Sequence, residues 1–572
     1  MAHSGKSLQD IVHSLDQGGL VPVIRIAMFA ALIITLTLLY LFVQFRGLSS
    51  PTAMDQAQIA RQLAQGNGFS TQYIRPLAIW QLESAGKKIP QGAFPDFFQS
   101  PLNPLINAVP LKMIESSWKL SPTDLVYIGD RVIAGTASLL FFLSVGVWYL
   151  VASQLFDKLV ALVGCAIVLL SDLMWQFSLS GLPQMLLLFL LSVASWLTLK
   201  AMEKRDEAIP SLAFLFATGA VFGLMVLAHG ATFWIFLGWL VFALFYFQPR
   251  GIAALVALAA LLLVSLPWAA RNYSVCGNPL GLAGYELVAP VNTAESGYLR
   301  SISETPPLAG IHPFNRLKNA VFNQSETIFP FLGMNIVAVA FFISLLHRFK
   351  SPASAAFRLC VVLMWLGAFV GMGLCGVKGT VSSNQFHVLF VPIFVFFGLA
   401  FLLVLWNRLE ISIPLLRSAF LGVIIFLCAL PMLATLFAGK DMAIQWPPYV
   451  PPFIAVLGEW YGKDEAIATD MPWATAWYAQ RKSVLLPKTI KDFNRISDFR
   501  VLGVPISGLY LTPVTGNLPL FSDIYKGPYT DWVFMITRPP NVQGFSLPVF
   551  TPLPIDGECI LFADRDRWSR RE

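Results

Sequence analysis

The stretch "IAMFAALIITLTLLYLFVQF", residues 26–45, decides the fold class of this chain. Its twenty residues carry no charge and are bounded by Arg25 and Arg46. At about 1.5 Å per residue, a helix of this length crosses the ~30 Å hydrocarbon layer of a bilayer. The run is too long for the apolar core of a cleavable signal peptide, so it predicts an uncleaved transmembrane helix.

The composition extends this prediction to most of the 572 residues. The chain is 56% hydrophobic and 12% charged, whereas typical soluble proteins are about 25% charged. A soluble globule of this size could not bury that much apolar area. We therefore predict an α-helical polytopic membrane protein with about eleven transmembrane helices. The ten further apolar runs are 132–153, 159–171, 183–199, 211–228, 231–247, 251–267, 331–346, 359–375, 387–406 and 414–437.

The basic residues predict the orientation of these helices. With the N-terminus in the cytoplasm, every cluster of Lys and Arg between the spans falls on the inside, as the positive-inside rule requires. The formal net charge of +7 therefore reflects contact with membrane lipids, and we expect no nucleic-acid partner. The clustered residues are Lys200, Lys204, Arg205, Arg250, Arg348, Lys350, Arg358, Arg408 and Arg417.

An odd number of spans places the long polar segments outside. Loops 46–130 and 268–330 then belong to a transmembrane domain of residues 1–439, and residues 440–572 form a C-terminal extracytoplasmic domain. Strand-like runs, with a helix capped by Asp470 between the first two, predict an α/β fold for it. The runs are "AIAT" (466–469), "SVLLP" (483–487), "ISGLYLT" (506–512), "DWVFMIT" (531–537) and "GECILFA" (557–563).

The first outside loop contains the main catalytic candidate. "SSPTAMDQAQIARQLAQGNG" predicts a helix capped by Ser50, begun by Pro51 and lying along the membrane surface. Asp55 lies in its N-terminal part, where a carboxylate could accept a proton from an attacking hydroxyl or amine. The alternative is an ordinary acidic residue that stabilises the helix dipole.

Several motifs, in order along the chain, resemble the GT-C glycosyltransferases. Within that superfamily the resemblance is to the dolichyl-phosphate-mannose–protein mannosyltransferases and the bacterial lipid A aminoarabinose transferases. It spans residues 23–490, and its most specific part is the exit from a span at 267–280. The motifs are "IARQLAQGNGFS" (59–70), "FFQSPLNPLI" (97–106), "GDRVIAGTASLL" (129–140), "PWAARNYSVCGNPL" (267–280) and "TDMPWATAWYAQRKSVLLP" (469–487).

The resemblance implies a catalytic base at Asp55, the acidic residue after the first span. It implies an inverting hexosyl or pentosyl transferase that takes its sugar from a polyprenyl-phosphate donor. The acceptor would be a lipid, a glycan or a protein at the periplasmic face of a bacterial inner membrane. This chain departs from the family at "SGLPQM" (180–185), which offers Gln184 where some members have a second acid. It departs again at "NQFHVL" (384–389), which contains His387 where relatives often show an arginine-tyrosine pair. Gln184 and His387 are therefore candidate pocket residues.

Arginine suits the donor phosphate because its guanidinium donates two parallel hydrogen bonds. Arg271, Arg131 and Arg75 are the candidates, each near the outer end of a span or the first-loop helix. Anchoring to lipid headgroups is the alternative for each. On the acceptor side, Trp473, Trp477 and Tyr478 offer ring faces that pack well against sugars, although they equally suit a domain core.

Other chemistry receives less support from the sequence. No cofactor is required; a divalent metal is allowed, but His229, His312 and His387 show no ligand spacing. The six cysteines form no CxxC pair, although a disulfide between Cys276 and Cys559 is open. A lipid or polysaccharide transporter and a catalytically degenerate scaffold remain as alternative functions. The nearly charge-free spans disfavour a transporter.

Overall fold

The computed structural model describes residues 21–120, 126–205, 208–287, 298–302, 318, 336–347, 349, 351–377, 380–411, 413–437, 451–498, 500–512, 530–533, 535, 545–553 and 559–569. His312 and most of loop 268–330 lie outside these residues. The chain divides into two compact units, Met1–Phe45 and Arg46–Glu572. The domain boundary at 439/440 stays a prediction, since residues 438–450 are not described.

The N-terminal unit contains the first predicted transmembrane helix. Helix α1, Val21–Leu38, continues as a π-helical turn over Leu39–Gln44. Residues Ile26–Gln44 are long and apolar enough to cross a membrane, which confirms the first predicted span.

The first loop of the second unit is built from short elements. They are α2 Pro51–Ala64, β1 Ser70–Thr71, β2 Tyr73–Ile74, α3 Pro76–Ser84, β3 Phe94–Pro95 and α4 Leu102–Met113. Pro51 begins α2 as predicted, but Ser50 makes no side-chain cap hydrogen bond. Eleven of the fourteen residues of α2 are buried within the protein, and its position along the membrane surface stays a prediction.

The apolar runs between residues 128 and 437 form a bundle of helices. They are α5 Ile128–Leu155, α6 Lys158–Leu169, α7 Asp172–Leu179, α8 Gln184–Glu203, α9 Ala208–Ala228, α10 Phe233–Tyr246, α11 Arg250–Cys276, α12 Ile336–Ser344, α13 Pro352–Cys375, α14 His387–Arg408 and α15 Pro414–Phe437. Most residues of α8 and α14 are buried, so these two helices lie at the centre of the bundle.

The predicted count of eleven spans is not confirmed. Among the described residues, eight helices including α1 are long and apolar enough to cross a membrane. The number becomes nine if α6 and α7, bent by 56° at their junction, form one span. The predicted runs 231–247 and 331–346 correspond to shorter helices, α10 and α12. A 3₁₀ turn at Gly230–Thr232 separates α9 from α10, which confirms the predicted break after His229.

Glycines allow some of these helices to pack at backbone contact. A Cβ on Gly219 of α9 would lie 2.2 Å from the carbonyl oxygen of Ala257 in α11. One on Gly238 of α10 would lie 2.1 Å from that of Leu363 in α13. Small residues at such positions are typical of helix pairs in membranes, where close van der Waals packing holds the helices together.

The C-terminal segment forms a mixed sheet with short helices. Its elements are α16 Pro451–Ala455, α17 Leu457–Trp460, β4 Ala466–Thr469, α18 Pro472–Ala474 with a π turn Thr475–Ala479, β5 Lys482–Leu485, α19 Ile490–Asp498, β6 Ile506–Leu511, β7 Val549–Leu553 and β8 Cys559–Ala563. These confirm the α/β prediction and four of its five strands. In the fifth, 531–537, the structure describes only 531–533 and 535, and residues 530–532 form a 3₁₀ turn.

Two details of this segment differ from the predictions. The N-cap of α18 is Met471, whereas Asp470 accepts hydrogen bonds from the backbone N–H (3.1 Å) and the hydroxyl (2.9 Å) of Thr512. Cys276 and Cys559 are both buried, and no disulfide joins them.

A strand from the first loop completes the C-terminal sheet. The strand order is β2-β5-β4-β6-β8-β7, in which the first four strands are parallel and β8 and β7 are antiparallel to their neighbours. Strand β2 pairs with β5, with Tyr73 opposite Ser483. The residue that follows β2, Arg75, is therefore fixed in space by the sheet.

Candidate functional site

Asp55 lies in the second turn of α2 and is the centre of a buried polar cluster. Its exposed fraction is 1%. Oδ1 accepts a hydrogen bond from Nε2 of Gln58 at 3.0 Å, and Oδ2 accepts from Nε2 of Gln99 at 2.6 Å and from Nη2 of Arg75. The first turn of α2 contains no acidic residue. Asp55 is therefore held by side chains, and the alternative of an ordinary helix-dipole residue does not fit.

Arg75 lies between two carboxylates. Its Nη2 donates to Asp55, and its Nη1 lies 3.4 Å from Oδ2 of Asp96. The guanidinium also stacks over the rings of Tyr73 and Phe98, 3.9 and 4.1 Å from their centroids. Burial disfavours its charge, but Asp55, Tyr73 and Asp96 outweigh that effect and raise the pKa of Arg75. Arg75 therefore stays charged, and its donors are directed at carboxylates.

Asp96 is the second acid of the cluster. Oδ1 accepts hydrogen bonds from the backbone N–H groups of Phe98 at 3.0 Å and Gln99 at 2.7 Å. Burial, with a contribution from the charge of Asp55, raises the pKa of Asp96 to about 6, although Arg75 and the two backbone donors oppose the shift. Asp96 therefore changes its charge close to physiological pH.

A row of amides extends the cluster along α4. Nε2 of Gln56 donates to Oε1 of Gln99 at 3.0 Å, and Nδ2 of Asn103 donates to Oε1 of Gln56 at 2.6 Å. Gln58 also donates to the hydroxyl of Thr71 at 2.7 Å. Each of these amide side chains is buried and hydrogen-bonded to a neighbouring side chain. These hydrogen bonds fix α2 against α4.

Arg271 reaches the same cluster from the C-terminal part of α11. Its Nη1 donates to the backbone oxygen of Asp96, and its Nη2 donates to that of Phe69 at 3.1 Å. Its guanidinium lies 4.8 Å from the centroid of Trp268. These partners are neutral, and no described carboxylate forms an ion pair with Arg271, so its charge is available to an anionic ligand.

The other predicted site residues are not brought to Asp55. Arg131 is half-buried in the first turn of α5. Gln184 begins α8 and donates to the backbone oxygens of Ser382 (3.0 Å) and Ser383 (2.5 Å). His387 begins α14 and accepts a hydrogen bond at Nδ1 from Nε1 of Trp365 at 3.0 Å. Gln184 thus contacts the segment that leads directly into His387.

The three predicted acceptor-side aromatics are buried, and two of them form a junction with α5. Trp473, Trp477 and Tyr478 have exposed fractions of 5%, 0% and 4%. Nε1 of Trp477 donates to Oδ1 of Asp130 at 2.7 Å, and the hydroxyl of Tyr478 donates to Oδ2 at 2.9 Å. Their rings offer no open face in this state, so their role toward the acceptor stays a prediction.

Asp130 and Arg61 join this junction to α2. Arg61 donates from its two Nη atoms to the backbone oxygens of Trp477 and Ala476, both at 2.6 Å. Gly47, at φ +124°, passes beside Asp130, and a Cβ there would lie 3.2 Å from Oδ2. The C-terminal segment therefore holds both the helix that carries Asp55 and the start of α5.

We expect Asp130→Ala to lower the free energy of unfolding by about 2–4 kcal/mol, because it leaves the buried donors of Trp477 and Tyr478 unpaired. The measurement is thermal unfolding of the purified protein in detergent. Glu115→Ala is the control, since its ion pair with Lys112 is exposed and such pairs contribute about 0–1 kcal/mol. Equal unfolding midpoints for the two variants would contradict the importance of this junction.

The cluster around Asp55 does not fit a divalent metal. No group of three or more His, Cys, Asp or Glu side chains within the described ranges could hold an ion. The two carboxylates that lie near each other, Asp55 and Asp96, already share the guanidinium of Arg75. A cation at this position would have to displace that charge, so no step below depends on a metal.

A small pocket opens beside Asp96. Its volume is about 10 Å³, and its lining includes Thr71, Tyr73, Arg75, Asp96, Phe98 and Leu282. Ligand clefts typically measure about 300–1,000 Å³. The pocket beside Asp96 is smaller than such clefts.

Comparisons with solved structures identify proteins of the same architecture. ArnT from Cupriavidus metallidurans in the apo state superposes with a TM-score of 0.57 at 12% identity, covering 94% of this chain and 98% of that one. The same protein bound to undecaprenyl phosphate gives 0.55 at 12% identity, over 95% and 99%. The Archaeoglobus fulgidus oligosaccharyltransferase in complex with Zn and sulfate gives 0.52 at 13% identity, over 84% and 67%.

These likenesses extend over most of the chain. At 12–13% identity they establish a common fold and no more. No family model matches the sequence, and no curated protein matches it. The fold predicted from the short motifs is confirmed.

Proposed function

We propose that this chain, which has the GT-C fold, is an inverting glycosyltransferase. It transfers a hexosyl or pentosyl group from a polyprenyl-phosphate donor to a lipid, glycan or protein acceptor. The reaction takes place at the periplasmic face of a bacterial inner membrane, with the N-terminus in the cytoplasm. The observation that carries this proposal is the buried Asp55, held by three donors in the first helix of loop 46–130.

The proposed reaction breaks one bond at the sugar and forms another. Asp55 removes the proton from an acceptor hydroxyl or amine, and the freed electron pair attacks the anomeric carbon. The bond from that carbon to the phosphate oxygen breaks on the opposite face, so the polyprenyl phosphate leaves with the electron pair. General bases of this kind contribute typically about 10²–10⁴-fold to the rate.

The geometry of Asp55 indicates which oxygen takes the proton. Oδ2 accepts from both Arg75 and Gln99, whereas Oδ1 accepts one hydrogen bond among the described residues, from Gln58. A carboxylate oxygen has two lone-pair sites. Oδ1 therefore retains acceptor capacity, while Oδ2 is held in place.

Arg271 is the strongest candidate for the donor phosphate. Its hydrogen-bond partners are neutral oxygens and no described carboxylate forms an ion pair with it, so its positive charge can pair with a phosphate. Preorganised cations of this kind stabilise the charge that develops on a leaving phosphate. Arg131 and Arg75 complete the proposed set, and Arg75 joins it by exchanging a carboxylate contact for the phosphate.

Mass spectrometry of a deletion strain tests this function. We expect loss of one sugar from an envelope lipid, glycan or protein, together with accumulation of the polyprenyl-phosphate sugar. Wild-type protein should restore the sugar, and Asp55→Asn should not.

Each alternative function predicts a different outcome of that experiment. A transporter would leave the glycosylated product chemically intact but on the wrong side of the membrane. If the protein is a degenerate scaffold, Asp55→Asn should restore the missing sugar as well as the wild type does. Either outcome would overturn the proposal.

A further inference from the structure

Asp96 has no part in the reaction proposed above, yet it contacts both strong donors to Asp55. Its exposed fraction is 2%. Through Oδ1 it accepts the backbone N–H of Gln99 at 2.7 Å, and through Oδ2 it faces Nη1 of Arg75 at 3.4 Å. Gln99 and Arg75 are the two residues that donate to Oδ2 of Asp55.

The backbone of Asp96 is also held by hydrogen bonds. Its N–H donates to the carbonyl oxygen of Phe69 at 3.2 Å, and its own carbonyl oxygen accepts from Arg271. Arg271 also donates to Phe69. Residue 96 therefore links the proposed phosphate-binding arginine to the residues that orient the proposed base.

We propose that Asp96 is a positioning residue for sugar transfer: it holds Arg75 and Gln99 against Oδ2 of Asp55 and thereby directs Oδ1 at the acceptor. This inference rests on the proposed function. The negative charge of Asp96 also shares the guanidinium of Arg75 with Asp55. Without the charge of Asp96, Arg75 would form an ion pair with Asp55 alone.

The charge of Asp96 depends on pH in a range that the experiment can reach. The charged groups that face it are Arg75, Asp55 and Arg271. Because burial raises the pKa of Asp96 to about 6, the carboxylate is charged above that pH and gains a proton below it. Transfer should therefore fall as the pH drops through about 6.

The test compares Asp96→Asn with the wild type. Asparagine retains an oxygen that accepts the backbone N–H groups of Phe98 and Gln99, but it has no charge to offer Arg75. Purified protein is added to membranes of the deletion strain, which hold the accumulated donor and the unglycosylated acceptor. Asp55→Asn is included in parallel, and binding of undecaprenyl phosphate is measured separately.

For Asp96→Asn at pH 8 we expect a transfer rate lower by about ten- to a hundredfold, the scale of effect that a misplaced catalytic group produces. The decline near pH 6 should disappear, and the affinity for undecaprenyl phosphate should stay within twofold of the wild type. Asp96→Ser, which also keeps an acceptor oxygen but no charge, should behave in the same way if the asparagine variant does not fold.

The outcomes separate this inference from the function on which it rests. Wild-type rate and an unchanged pH profile for Asp96→Asn, beside an inactive Asp55→Asn, would overturn the positioning role alone. A loss of rate that leaves the decline near pH 6 in place would also overturn it, because a merely structural defect scales the rate at every pH. Absence of transfer by the wild type would overturn the proposed function and this inference together.

Discussion

Asp55→Asn should lower the rate of sugar transfer by about 10²–10⁴-fold, the contribution that general bases make. The amide keeps the shape of the carboxylate and can still accept a hydrogen bond, but it cannot take a proton from the acceptor. Binding of undecaprenyl phosphate should change little, because Arg271 lies against the backbone of Asp96 and Phe69 rather than against Asp55.

The matched control for this variant is Glu115→Gln. It makes the same change from acid to amide in the same loop, at an exposed residue whose ion pair with Lys112 has side chains 57% and 48% accessible. Its rate should equal that of the wild type. Transfer by Asp55→Asn within tenfold of the control would remove Asp55 from the role of base.

Arg75→Met should lower the free energy of unfolding by about 3–5 kcal/mol, the cost of breaking a buried ion pair by removing one partner. The substitution leaves Asp55 and Asp96 buried beside each other without the guanidinium that faces both. It also removes the stacking on Tyr73 and Phe98, which the methionine side chain replaces only in part. The measurement is the midpoint of thermal or denaturant unfolding in detergent.

The pH dependence of this defect identifies its cause. Because the pKa of Asp96 is already raised to about 6 in the intact cluster, removal of Arg75 raises it further and favours the protonated, neutral acid. The loss of stability should therefore shrink as the pH falls toward about 6, because a proton removes the uncompensated charge of the variant above that pH. Arg495→Met is the control, since Arg495 pairs with Glu83 at an exposed position.

The sequence predicted those features that depend on neighbouring residues. Hydropathy found the first span and most of the bundle, and the segment after that span singled out Asp55. The eleven predicted spans exceed the eight or nine found among the described residues, because a window of apolar residues does not register the 56° bend between α6 and α7 or the short length of α10. The burial of α2 was missed because its glutamines, which a helical pattern assigns to the surface, are hydrogen-bonded inside the protein.

The partners of Asp55 depend on contacts that no local pattern encodes. Arg75 is predicted to bind the donor phosphate, and the pairing of β2 with β5 also places it against Asp55, a contact that the sequence did not indicate. Gln99 was part of a quoted motif without a role, and Asp96, just before that motif, was not considered. The partner of Trp477 and Tyr478 is Asp130, almost 350 residues away in the chain. An aspartate followed five positions later by a proline, as in "DFFQSP" (96–101), is the signal that would have pointed to Asp96.

The central claim is that this protein uses a polyprenyl-phosphate sugar as its donor and Asp55 as its base. The most direct measurement follows polyprenyl phosphate and glycosylated acceptor together, after purified protein is added to membranes of the deletion strain. We predict that one lipid phosphate appears for each sugar transferred by the wild type, and that neither product forms with Asp55→Asn. Movement of the intact lipid-linked sugar with no release of lipid phosphate, or equal release by both proteins, would contradict the claim.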